Sequence, residues 1–160
     1  MRKNSRGFSL IELLIVVAII LIIAAIAIPN LLRSRIAANQ ASAVGSLRTI
    51  NTAEITYAST YNAGYSPGTD LLALGPGATP PTALLAGLID SVLAGGVKSG
   101  YSFVYVAGAA PAGRVDTYVL NANPTTAGTT GSNYYFSDES GVIRQNSAAQ
   151  ASAADSPIGG

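Results

Sequence analysis

Hydrophobic positions follow three different spacings along this chain. From Phe8 to Ile28 they are nearly continuous: 21 residues carry a single charge, Glu12. As a helix this run is roughly 31 Å long, the thickness of a bilayer's hydrocarbon core. From Asn30 to Tyr61 the apolar positions thin to one stripe. Ile36, Ala43, Leu47, Ile50, Tyr57 and Tyr61 follow one another at spacings of seven, four, three, seven and four. That is one face of a helix. Arg33, Arg35, Asn39, Gln40, Ser46 and Asn51 fall mostly off it. The stripe contains no Pro, and its only Gly is Gly45. The two stretches together predict one helix over residues 8–61. Pro29 sits inside it, removing one backbone donor; the competing reading ends the helix there.

Asn62 to Gly68 is dense in turn formers and closes the helix. Residues 71–82 read as a Gly- and Pro-rich loop. Pro81 is suited to the first position of a short second helix carrying Leu84, Leu85, Leu88, Ile89 and Val92, with Gly95 and Gly96 ending it. Then the period becomes two. Tyr101, Phe103 and Tyr105 alternate with Ser102, Val104 and Val106, a strand with an aromatic face. Residues 115–121 predict a second strand, and 133–136 with 142–145 a hairpin around Asp138–Gly141. Residues 147–160 are small and polar and read as a disordered tail.

These elements give an α+β architecture: a long N-terminal helix packed on a small antiparallel sheet. The expected organisation is a leader over 1–7, a transmembrane and assembly helix over 8–29, a globular domain over 30–146, and the tail. The formal charge is +1, but Arg2, Lys3 and Arg6 supply three of the nine cations; residues 8–160 hold six cations against eight acids. So near-neutral a chain lacks the footprint of a nucleic-acid binder. There is no Cys and no His. Disulfides, thiol chemistry and Ser-His-Asp catalysis are therefore excluded, and no enzymatic activity or resident cofactor is expected.

Glu12 poses the functional question. A carboxylate at membrane depth costs roughly 2.5–3.5 kcal/mol on insertion scales, so it needs a partner or a task. A secretory signal peptide would account for the basic start and for Ala25-Ile26-Ala27, but its apolar region is shorter and holds no acid. A plain single-span anchor fits the length and gives Glu12 nothing to do. A local role is a capping box, since Ser9-x-x-Glu12 matches S-x-x-E.

The order of residues supplies a further reading: a basic leader ending in Gly7, then Phe8-Ser-Leu-Ile-Glu12, then the apolar run and Pro29. It resembles the class III signal of type IV pilins and type II secretion pseudopilins, over residues 1–32. The resemblance implies cleavage after Gly7 by a prepilin peptidase and methylation of the new amine on Phe8. It implies a single-pass inner-membrane protein with a cytoplasmic N-terminus, handed from the bilayer to inner-membrane assembly machinery. It then polymerises with copies of itself into a periplasmic or surface filament, with Phe8, Glu12 and Pro29 as assembly residues. After cleavage Glu12 would be the fifth residue, about 6 Å along the helix from the new ammonium group. There the helix macrodipole favours an anion by roughly 0.3–1 kcal/mol.

The leading expectation is therefore a structural filament subunit. One alternative is a secretion pseudopilin; another, of a different class, is a membrane-tethered enzyme or binding module. Three features are secondary. Asp116, Asp138 and Glu139 are the clustered acids, and the resemblance to pseudopilins raises a late-loop calcium site, though calcium needs six to eight oxygens. The eight tyrosines read as core residues whose hydroxyls reach solvent, rather than as a conductive stack. Arg33 and Arg35 read as interface anchors just beyond the span.

Overall fold

The computed structural model describes residues 8–77, 79–110 and 113–159. The chain forms two units, one ending at Arg35 and the other beginning at Ile36. The helix α1 (Leu10–Tyr61) contributes to both and keeps Pro29 inside it.

In the first unit, from Leu10 to Leu32, every large apolar side chain is exposed. Leaving so many in water would cost on the order of tens of kcal/mol, more than the ~5–15 kcal/mol that holds a domain together. This helix is long and apolar enough to cross a membrane.

The second unit closes a core between the Ile36–Tyr61 part of α1 and a five-stranded antiparallel sheet. The strands are β1 (Val97–Lys98), β2 (Tyr101–Ala107), β3 (Tyr118–Pro124), β4 (Tyr134–Asp138) and β5 (Arg144–Asn146), neighbours in chain order. The β2–β3–β4 register sets large residues beside small ones on the inner face. Phe103 pairs with Ala122, which pairs with Tyr135; Tyr105 pairs with Leu120, which pairs with Ser137. The gaps over Ala122 and Ser137 leave room for bulk from α1. Ala43, Leu47, Ile50 and Tyr57 join Tyr101, Phe103, Tyr105, Leu120 and Tyr135 in one buried cluster.

The tyrosines are core residues as expected, but four of their hydroxyls meet protein acceptors where solvent was expected. Tyr57 donates to the Ala83 carbonyl, Tyr101 to that of Asn133 and Tyr105 to that of Ser66, each at 2.7–2.8 Å. Tyr118 donates to Asn51 Oδ1 at 3.0 Å. Burial pushes the Tyr101 hydroxyl up to about 12 and raises Tyr105 and Tyr118 as well.

Five local expectations are corrected. No helix starts at Pro81. Thr82 and Leu85 exchange backbone hydrogen bonds in a tight turn, and the amides of Ala86 to Ile89 bond to carbonyls of residues 73–75. Gly87 takes a φ of 67°. With these donors satisfied at long range, only Ser91–Ala94 forms a helix, α2, capped where Asp90 Oδ1 accepts from the Leu93 amide at 2.9 Å.

The second strand starts at Tyr118 rather than Val115, because Val115 pairs with the chain just past α1. Its amide donates to the Ala63 carbonyl and its carbonyl accepts from Tyr65. The short edge strand β1 escaped the periodicity altogether, since two residues show no period. Ser46 and Asn51, read as outward, are buried. Asn51 donates to Ser137 Oγ at 2.8 Å and accepts from Tyr118, so the cross-element partners supply what water would.

The tail is the fifth correction. Residues 147–159 fold back onto the sheet. The Ala151 carbonyl accepts from Asn121 Nδ2, Arg144 donates to the Asp155 carbonyl, and Ile158 donates its amide to Ile143. Ala151 is buried. Small side chains let this backbone lie close, and it is held by hydrogen bonds that leave no apolar periodicity in the sequence.

Gly64 sits where the chain leaves α1, with φ 79°, and an added Cβ would run into the Val115 carbonyl. Gly64→Ala should cost at least about 1–2 kcal/mol from the left-handed backbone alone, before the clash. That lowers the melting temperature by about 5 °C or more. A scan of far-ultraviolet circular dichroism checks it, and an unchanged midpoint would mean that Val115 is not held against this turn.

Candidate assembly segment

Phe8 and Ser9 lead into α1, and Glu12 lies in its first turn. Glu12 reaches back, and its Oε2 accepts the Ser9 amide at 2.9 Å. This is one half of the capping box expected from S-x-x-E, satisfying a helix-end donor that would otherwise be orphaned. The Ser9 carbonyl accepts from the Leu13 amide, starting the helical ladder. Phe8 and Glu12 are both exposed. Gly7, where cleavage is expected, lies outside the described residues, as do Arg2, Lys3 and Arg6.

Beyond Glu12 nothing in the segment is ionisable until Arg33. Pro29 continues the helix without its own amide; at the rim of the apolar stretch one missing bond is cheaper than in mid-span. Arg33 and Arg35 are exposed. The segment is therefore a rod with a single acid at its start, apolar on every side, ending in cations. Such a surface binds lipid tails or other rods like itself.

Of the other candidate residues, Glu139 is exposed and Asp116 and Asp138 are engaged separately. Asp116 pairs with Arg114 at 2.6 Å. Asp138 accepts from the Ser140 amide at 3.0 Å and from its hydroxyl, and its carbonyl accepts from Gly141, closing the turn between β4 and β5. Among the described residues no three acids, histidines or cysteines gather as a metal shell.

Sequence reasoning missed Glu54. It follows Leu47 and Ile50 and precedes Tyr57 at spacings of seven, four and three, on the apolar stripe itself. That position was the available signal. Its side chain is fully buried. It accepts from the Ser66 amide at 2.8 Å and lies 2.6 Å from the Ser66 hydroxyl. Desolvation raises its carboxyl above the ordinary range, partly offset by the Ser66 bonds.

Comparison with known proteins bears on the first segment. The family model described as "Prokaryotic N-terminal methylation motif" matches residues 2–28. The chain is 65% identical over 37 residues to the type IV wide pilus major component PilA4 of Thermus thermophilus, covering 23% of this chain and 28% of that protein. It is 51% identical over 51 residues to the type IV major pilin protein PilA of Myxococcus xanthus, covering 32% of this chain and 23% of that one. The matched stretch thus spans about a quarter of the length of these curated relatives. No solved structure matches the chain. Its N-terminal segment is homologous to that of type IV pilins and carries their prepilin methylation motif.

Proposed function

We propose that this chain, carrying a prepilin methylation motif at its N-terminus, is a structural subunit of a type IV pilus-like filament. The observation that carries the reading is the 10–32 helix. It is exposed and apolar on every side, and its one acid stands five residues into the expected mature chain. A lone protein cannot keep that surface in water, and a bilayer followed by a bundle of identical rods covers it completely. Both named relatives are pilus components, which favours a pilus over a secretion pseudopilus. In this reading prepilin peptidase cuts after Gly7 and Phe8 is N-methylated. The single-pass subunit then waits in the inner membrane with its N-terminus cytoplasmic until the assembly machinery extracts it. The unit beginning at Ile36 is the head displayed along the filament.

Two measurements test this. Immunogold imaging of native cells should find the head along extended surface fibres; label confined to the inner membrane would instead fit a tethered enzyme or binding module. Intact-mass analysis of the exported protein should give a chain starting at Phe8, heavier by one methyl group. A start at Met1 or Ile28 overturns the processing step. Gly7 should be required, because a side chain there would keep the peptidase from the backbone.

A further inference from the structure

Glu54 carries a carboxyl group that water does not reach. Four elements surround it. Tyr57 lies one turn along α1, Tyr105 comes from β2, Tyr118 from β3, and Ser66 from the turn after α1. None of these groups is cationic, and no Lys or Arg among the described residues lies within ion-pair distance of it. Ionised, it would be a buried charge without a counter-ion; as the neutral acid it keeps the same contacts without that cost. The 2.6 Å separation between Oε1 and Ser66 Oγ needs only one hydrogen, which the acid can supply.

Ser66 ties three elements together. Its amide meets Glu54 on α1 and its carbonyl accepts from Tyr105 on β2. The adjoining Tyr65 amide donates to Val115, and the Gly68 carbonyl accepts from Ala107. The segment has few apolar anchors of its own, and three of its residues, Asn62, Gly64 and Gly68, have positive φ. Tyr65 packs edge-on against Tyr118 and the Asn62 amide bonds to the Ala58 carbonyl; the side-chain hydrogen bonds between the segment and α1 are those of Glu54 with Ser66.

We infer that Glu54 is carried as the neutral acid in the folded subunit and acts as a proton-dependent latch. Ionisation places an uncompensated charge between α1 and the 62–68 turn and loosens that turn. The inference concerns the second unit alone and stands independently of filament assembly. The sign follows from linkage. The folded carboxyl holds its proton more tightly than the unfolded one, whose value is near 4.3. The contribution is whole below about pH 4.3 and is lost as pH rises through the folded value.

The test uses the full chain in detergent micelles. The chain has three glutamates, Glu12, Glu54 and Glu139, so their carboxyl carbons can be followed separately by NMR. Glu54 should hold the carboxylic-acid shift to a higher pH than an ordinary glutamate, whose midpoint is near 4.3. In urea unfolding, the ratio of the wild-type folding constant to that of Glu54→Gln should fall about tenfold per pH unit above the ordinary range, until Glu54 ionises. Exchange of the Tyr65 and Ser66 amides should outpace that of β3 amides as pH rises in the wild type, and the two should run in parallel in the Gln variant. A Glu54 carbon that titrates at or below the ordinary range overturns the inference, even if Glu54→Gln does not fold. So does a ratio that is flat or rising with pH, or turn amides that track β3 in both proteins.

Discussion

Filaments are expected to disappear when Glu12 is replaced by leucine, while membrane insertion and cleavage after Gly7 continue. The span becomes more apolar and inserts at least as well. Assembly should differ because, in the proposed filament, an extracted subunit would carry its Phe8 ammonium into a bundle of apolar rods. A neighbour's Glu12 can neutralise that charge only when the axial stagger of the two rods is right, in a head-to-tail, non-closing arrangement. Removing one partner of a buried pair costs roughly 3–5 kcal/mol, a factor of hundreds to thousands in each contact's association constant.

The magnitude separates this role from the observed cap. Losing the Glu12–Ser9 bond costs about 0.5–2 kcal/mol at most, and a 52-residue helix does not depend on it. Glu12→Asp should be partly defective, one methylene short of its neighbour. Electron microscopy with a count of membrane-retained subunit reads the outcome. Normal filaments from the leucine variant would leave Glu12 as a cap and nothing more.

The second large effect is expected at Phe103. The residue is 6% exposed and stands beside Ala122 in the register, so its β3 neighbour is too small to fill the space it leaves. Phe103→Ala should destabilise the second unit by roughly 3–5 kcal/mol through lost transfer energy plus the cavity. Chemical denaturation measures it. A loss below about 1 kcal/mol would mean the ring is not in the core and that β2 is paired one residue out, which exchanges its two faces. Val104, exposed on the opposite face, is the control: truncating it should change stability by less than about 0.5 kcal/mol.

Much of the architecture was legible because period and burial coincide in long elements. The α1 stripe at Ala43, Leu47, Ile50 and Tyr57 and the aromatic alternation of β2 both went to the core as their spacing required. Short elements were not legible. Asp90 caps a helix of four residues, too short for any period. Val115 has the residue type of a strand, but its partners lie some fifty residues away at Ala63 and Tyr65. The tail's hydrogen bonds to Asn121 and Arg144 run through backbone groups that every residue possesses, so composition carries no trace of them.

The sequence by itself determined the first segment. A continuous apolar run with one acid at a set distance from a glycine is a local pattern, and its physics does not depend on how the rest folds. The helix and its cap follow from neighbours within a few residues, and the proposed cleavage site is read from the same short stretch. Only the tertiary structure decided what the polar residues of the second unit do. Asn51, Ser137 and Tyr118 form one buried set, and Glu54 finds Ser66, whose carbonyl takes the Tyr105 hydroxyl. A buried polar side chain has the same letter as an exposed one. Its burial is tolerable only when partners from other elements arrive together, and that condition exists only once the chain has closed.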